Sequence, residues 1–157
     1  MPKTIRQRRR KAKTDYHARI RLLTSQKPRL VVRKTNRYVI VQLVESQHAQ
    51  DRIIATATSR DLLAKGWPQE KKGSLKVLAA AYLTGYLLGK RCKQKSREAI
   101  LDIGMHRNVR GSRIYAALKG ACDAGLYIPH DKESLPSNDK IDSSTKTINI
   151  TKIKEAL

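Results

Sequence analysis

Between residues 29 and 58 the chain alternates apolar and polar side chains three times in quick succession. The segments are RLVVRK (29–34), YVIVQLVE (38–45) and RIIATAT (52–58). Successive strand side chains point to opposite faces, so this period-two pattern specifies half-buried β-strands rather than helices. Thr35-Asn36-Arg37 alone separates the first two segments. That spacing predicts a hairpin, with Asn36 accommodating the turn. After the polar stretch Ser46 to Asp51, the third segment returns antiparallel to the second. A small sheet with one face to bury is therefore the base of the fold, and the rest of the chain has to supply its cover.

The cover is legible downstream. Thr58 and Asp61 make a capping-box-like pair ahead of a short helix, Arg60 to Lys65, which Gly66-Trp67-Pro68 ends. Gln69 to Ser74 reads as a polar, basic loop. A long helix follows from about Leu75 to Lys93, with Leu75, Leu78, Ala79, Tyr82 and Tyr86 in one stripe, widened by Leu83 and Leu87. Gly85 and Gly89 on this helix imply close packing on the sheet. Ala99 to Ile103 is a short apolar strand lying between helices, as a parallel strand does. With the third strand and the long helix it makes a crossover unit. The loop Gly104 to Ser112 then opens a second long helix, about Arg113 to Ala124, with Ile114, Ala117, Leu118 and Ala121 inward and Gly125 at its C-terminal cap. The expected fold is a single α/β domain with a mixed sheet packed by two long helices. It divides into a basic arm and short helix (1–26), the α/β domain (27–128) and a C-terminal extension (129–157).

Charge narrows what such a domain can do. The 157 residues carry 34 Lys+Arg against 13 Asp+Glu, a net charge of +21. Self-repulsion of that size works against folding and makes sense only beside a polyanion. Residues 1–40 hold 14 of the cations and a single acid, Asp15. The longest uncharged apolar run, Val77 to Gly89, has 13 residues, whereas a bilayer span needs about 20. The N-terminus has no apolar stretch behind its charges, so it does not read as a secretory signal. Cys92 and Cys122 are too few and too far apart for a disulfide scaffold and point to a reducing compartment, with both thiols buried.

Three basic constellations are candidate sites. The densest is the arm, Lys3, Arg6, Arg8, Arg9, Arg10, Lys11 and Lys13, with Arg19 on the helix behind it. Such a block repels itself and is expected to lack structure until it meets phosphates. The second is the hairpin: Arg29, Arg33, Lys34, Thr35, Asn36, Arg37 and Tyr38. Arginine forks match phosphate oxygens, asparagine can read a base edge or ribose hydroxyl, and Tyr38 can stack on a base. The third is the loop GMHRNVRGSR, where Arg107, Arg110, Ser112 and Arg113 stand after a strand and before a helix. It is neither a P-loop nor a GxGxxG turn. There is no Phe, which excludes an aromatic-platform RNA reader. The four histidines and two cysteines lack metal-ligand spacing, so no metal or cofactor is expected. Asp102 ends a strand and is the one candidate catalytic acid, but Glu98 and Asp123 belong to other structural roles. A turn-fixing role for Asp102 is favoured over the carboxylate cluster of a metal-dependent nuclease.

The blocks PRLVVRKTNRYVIVQLVE, RIIATATSRDL, AAYLTGYLLGKR, EAILDIG and RGSRIYAALKGACDAGLYIPH together resemble the universal L-eighteen family of large-subunit ribosomal proteins, L-five in eukaryotes. The resemblance runs in register over about residues 14 to 141. IPH followed by LPSNDKI looks archaeal or eukaryotic, and the chain length looks archaeal. The resemblance implies a structural, non-enzymatic protein of the cytoplasmic ribosome. It would bind 5S rRNA and help fix it to the large rRNA in the central protuberance, beside neighbouring large-subunit proteins. It implies no membrane, small-molecule substrate or homo-oligomer. The RNA-contacting segments it implies are the arm, the hairpin, Ser59-Arg60 and Arg110 to Arg113. Residues 142–157 lie outside it. The rival readings are the nuclease and a free-standing RNA-binding regulator.

Overall fold

A computed structural model describes residues 7–11, 13–47, 50–92, 98–145 and 150–157. A helical turn α1 (Gln7–Arg10) and a helix α2 (Tyr16–Thr24) precede three strands, β1 (Arg29–Lys34), β2 (Val39–Gln47) and β3 (Gln50–Thr58). Two 3-10 segments (Ser59–Lys65 and Gln69–Ser74), α3 (Leu78–Cys92), β4 (Ile100–Asp102) and α4 (Arg113–Asp123) complete the domain. Short helices α5 (Asn138–Ser143) and α6 (Ile150–Ala156) follow.

The sheet order is β3-β2-β1-β4. β1 and β2 pair antiparallel with Leu30 opposite Leu43 and Val32 opposite Val41, and β3 runs antiparallel to β2. The crossover from β3 through α3 returns beside β1 instead of β3, and β4 runs parallel to β1. Leu30, Val32, Val39, Val41, Leu43 and Ala57 form the buried face, under α3. The opposite face shows Val31, Arg33, Ile40, Gln42, Thr56 and Thr58. A bulge between Leu43 and Val44 shifts the register to β3. Both strands of that second hairpin run further than the alternation indicates, with Ser46 opposite Asp51 and Gln47 opposite Gln50. The stretch Gln69–Ser74 is helical rather than a loop. Trp67 anchors it from the core, its indole N–H donating to the Lys71 carbonyl at 3.2 Å.

The glycines of α3 do not face the sheet as expected; they face α4. A Cβ on Gly85 would fall 1.9 Å from the Ala117 carbonyl oxygen, and one on Gly89 would fall 2.5 Å from Ala124 Cβ. Gly120 on α4 answers them, its missing Cβ lying 2.0 Å from the Tyr82 carbonyl oxygen. The helices thus meet backbone to backbone, and α3 is buried on nearly every side, Thr84 included. Gly125 ends α4 at φ +105°, and the Leu126 and Gly125 amides cap the Ala121 and Cys122 carbonyls. Ile141 and Ile153 from the C-terminal helices join the core. Cys122 is only half-buried, with Sγ 3.9 Å from His130 Nδ1. This corrects the expectation of two buried thiols.

Adding a methyl at this seam should force the helices apart. Gly120→Ala or Gly85→Ala is expected to cost about 1–3 kcal/mol or more, as overpacking does. Gly73→Ala has nothing within 4 Å of the new methyl and should be near neutral. Urea midpoints decide the matter, and an unchanged midpoint for Gly120→Ala would mean that the helices do not touch there.

Candidate nucleic-acid interface

β1, β3 and β4 share one direction, so their C-terminal ends lie at the same end of the sheet. Three loops therefore converge there: the hairpin loop Thr35 to Tyr38, the start of the 3-10 segment at Ser59-Arg60, and the loop from Ile103 to Ser112. Specific bonds knit them together. The Lys34 amide donates to His106 Nε2 at 3.2 Å, and the Val39 amide donates to the Ser59 hydroxyl at 3.1 Å. Thr35 shapes the hairpin loop. Its hydroxyl accepts from the Tyr38 amide at 2.9 Å, and its own amide donates to the Tyr38 carbonyl. Asn36 is not left-handed, because a four-residue loop closed by a threonine needs no positive φ; only Gln26 among the described non-glycine residues has one.

Beneath the loops lies a ladder of ion pairs on the open sheet face. Asp102 is 6% exposed and accepts from Arg29 Nη1, Arg33 Nη2 and the Gly104 amide, each at 2.8 Å. The last bond fixes the turn that ends β4. Arg29 also donates to Asp51 at 2.7 Å and to the Ser46 hydroxyl at 3.1 Å, and Arg19 of α2 donates to Asp51 at 2.9 Å. Burial alone would raise the Asp51 carboxyl, but bonds from Ser46, Arg19 and Arg29 outweigh it and hold it below its ordinary value.

The expected contact residues fall into distinct groups. Asn36, Arg37, Arg60 and Arg107 are exposed at the loop-bearing end, with Thr35 beside them. Lys34 and Arg33 are partly exposed there. Tyr38 leans against the core, which leaves only part of its ring to a base. Arg110 is exposed but paired with Glu133 at 3.2 Å. Arg113 donates to the Lys76 carbonyl, and Ser112 sits at the N-terminal cap of α4. Arg19 is half-buried against Asp51. Two of the expected residues are enclosed: Arg29 is 2% exposed and bonded to two carboxylates, and Ser59 is fully buried and accepts from the Val39 amide of β2.

The arm differs from its expectation too. Gln7–Arg10 forms a helical turn, steadied by the Lys13 amide on the Arg8 carbonyl and by Arg8 Nε on the Thr14 hydroxyl at 3.0 Å. Arg10, Lys11 and Lys13 are exposed. Lys3 and Arg6, and the side chain of Arg9, lie outside the described residues. Arg8 and Lys13 line a cleft of about 800 Å³ shared with Arg21, Arg33, Gly104 and His106. Arg21 and His106 escaped the sequence reading. Arg21 had a signal in its i, i+2 spacing from Arg19, whereas His106 had none, because only the fold brings it to Lys34. Among the described residues no group of three His, Cys, Asp or Glu could hold a metal ion.

The profile of the family described as "Ribosomal large subunit proteins 60S L5, and 50S L18" matches residues 3–99 and 92–131. The chain is 52% identical over 136 residues to the large ribosomal subunit protein uL18 of Aeropyrum pernix, covering 85% of this chain and 62% of that protein. It is 53% identical over 135 residues to that of Korarchaeum cryptofilum (85% and 67%), and 48% identical over 134 residues to that of Methanospirillum hungatei (85% and 74%). The chain thus spans about three-fifths of the length of the first of these relatives and two-thirds or more of the other two.

Two measurements probe this end of the molecule. Asp102→Ala would remove the carboxylate that Arg29 and Arg33 share and should cost about 3–5 kcal/mol in urea denaturation; a loss under about 1 kcal/mol would mean that the ladder is solvated. His106 is held below its ordinary value of 6.5, first by burial and then by Lys34 and Arg33. The unfolded chain therefore takes up its proton more readily. The stability that neutral His106 contributes is complete above the ordinary value and is lost as pH falls toward the folded one. The stability gap between wild type and His106→Gln should accordingly shrink from about pH 7.5 to about pH 5. A gap independent of pH would show that His106 does not titrate against this contact.

Proposed function

The chain belongs to the family of large-subunit ribosomal proteins that includes 60S L5 and 50S L18, and we propose that it serves as a structural component of the large subunit that binds 5S rRNA. It helps attach that RNA to the large rRNA in the central protuberance of the cytoplasmic ribosome. The observation that carries this reading is the convergence of three cation-bearing loops and the arm at one end of the sheet. Exposed Arg37, Arg60 and Arg107, with Asn36 between strands, present forks and an amide to a surface of regularly spaced phosphates. The acids nearest this end, Asp102 and Asp61, are taken up by Arg29 and Arg33 and by Thr58 and Arg91 respectively. Among the described residues no carboxylate pairs with the exposed Arg37, Arg60 or Arg107.

In this reading the arm (Lys3, Arg6 and Arg8 to Lys13) runs along phosphates beyond the sheet, and Arg110, Ser112 and Arg113 extend the contact toward α4. The role is architectural, with neither catalysis nor a cofactor. Neighbouring ribosomal proteins meet the surfaces that the RNA leaves free.

The test is binding of purified 5S rRNA across a salt series. Affinity should fall steeply with salt, since each neutralised phosphate releases counterions. Asn36→Ala with Arg37→Ala should weaken binding about tenfold or more without shifting the melting temperature. Crosslinks of the chain in large subunits should map to 5S rRNA, in one copy per subunit. A flat log–log salt plot, or crosslinks confined to other RNA, would refute the assignment.

A further inference from the structure

The guanidinium of Arg33 is held in an unusual way. It carries five N–H groups. Both hydrogens of Nη1 have acceptors, the Val32 carbonyl at 2.9 Å and the Asp102 carbonyl at 2.7 Å, and Nη2 gives one hydrogen to Asp102 Oδ1 at 2.8 Å. A single residue, Asp102, thus takes the end-on edge of the group. Gly104, at φ +59°, lies against one of its faces: a Cβ there would stand 2.8 Å from Arg33 Cζ and 3.1 Å from Nε. Two donors remain, Nε–H and the second Nη2–H. Among the described residues nothing accepts from them. A guanidinium offers these two side by side, at the spacing of two oxygens on one phosphorus or one carboxylate carbon.

The surroundings select the acceptor. Arg33 is 37% exposed at its side chain and opens into the cleft, whose walls also carry Arg8, Lys13, Arg19 and Arg21 against the carboxylates of Asp15 and Asp102. The ladder Arg19–Asp51–Arg29–Asp102–Arg33 sets three cations against two carboxylates. One positive charge is left over. Arg29 is enclosed, so that charge is available only at the exposed ends, Arg19 and Arg33. A carboxylate ligand would suit the fork, but the cation-lined cleft continues into the arm and favours a chain of anions.

We propose that Arg33 is a preorganised bidentate site for one phosphodiester of the bound RNA, its Nε and Nη2 hydrogens taking the two non-bridging oxygens inside the cleft. Asp102 and Gly104 are positioning residues, which fix the plane of the fork before the RNA arrives. Side-chain ordering is then already complete, so binding loses little rotamer entropy at this position. The site rests on the RNA-binding reading and refines it.

The test uses the full chain labelled with 15N-arginine and follows the Arg33 Nε–H signal as 5S rRNA is added. Saturating RNA should move that signal downfield and slow its exchange with water. Inorganic phosphate should move the same signal at much higher concentration. In parallel, Arg33→Gln should reduce the log–log salt slope by about one. Arg33→Lys keeps the charge but not the fork, and should lose about tenfold in affinity with the slope nearly unchanged. Because the wild-type signal requires no variant, a misfolded Arg33→Gln would not spoil the result. RNA that binds tightly while the Arg33 signal stays put overturns the site and leaves the RNA reading standing. A shifted signal with an unaltered slope for a folded Arg33→Gln would place a base edge there and overturn the phosphate. A wild-type chain that fails to bind 5S rRNA overturns the RNA reading and the site with it.

Discussion

Asp102 between Arg29 and Arg33 is the contact on which the loop-bearing end of the sheet depends. Carrying an arginine and a carboxylate out of water costs several kcal/mol per ion, and their attraction offsets this only when the remaining donors and acceptors are also met. Here they nearly are. Asp102 accepts three bonds across its two oxygens, and Arg29 spreads its Nη hydrogens over Asp102, Ser46 and Asp51. Arg29 Nε alone lacks an acceptor among the described residues. The reward is geometric more than energetic. One carboxylate joins β1 to β4, Asp51 joins β3 to α2, and Arg29 joins the two.

The glycine seam between α3 and α4 does the complementary task from the other face of the sheet. Backbone contact at Gly85, Gly89 and Gly120 fixes α4 against α3, and α3 is fixed against β2 and β3. The loop from Ile103 to Ser112 is therefore anchored twice, by the Asp102 turn at its start and by the docked helix at its end. Gly111, at φ +64°, donates to the Ser134 carbonyl and adds a third anchor. Loop cations mounted this way keep their spacing, which matters when the partner is a lattice of phosphates.

Much of this was legible in the residues, and the failures share one cause. Alternation located β1, β2 and β3, and a short apolar run between helices located a parallel β4. Periodicity within a strand, however, says only that Arg29 and Arg33 share a face. It cannot tell that one is enclosed and the other open. That distinction arises from Asp51 and Asp102, which lie 22 and 73 residues away from Arg29. The burial of Ser59 was not readable for the same reason, since its acceptor role depends on Val39 of β2. The glycines on α3 announced close approach but not to what, because the partner glycine lies on α4. A role set locally, such as the cap that Asp61 makes with Thr58, was readable. Roles set by long-range pairing were not.

The excess charge can now be placed with respect to the fold. The acids of the described residues are largely occupied with structure. Asp15 caps α2, Asp61 binds Thr58 and Arg91, Asp123 accepts from the Tyr82 hydroxyl, and Asp51 and Asp102 hold the ladder. Each is spent where it fixes a loop or an element, and among the described residues none forms an ion pair with Arg37, Arg60 or Arg107. A protein with this many cations gains solubility and fast encounter with polyanions, and loses some stability to self-repulsion. Concentrating the carboxylates in the scaffold and the free guanidiniums at one sheet end meets both demands. Repulsion is reduced where packing needs close approach, and the positive field is preserved where the partner supplies the missing negative charge.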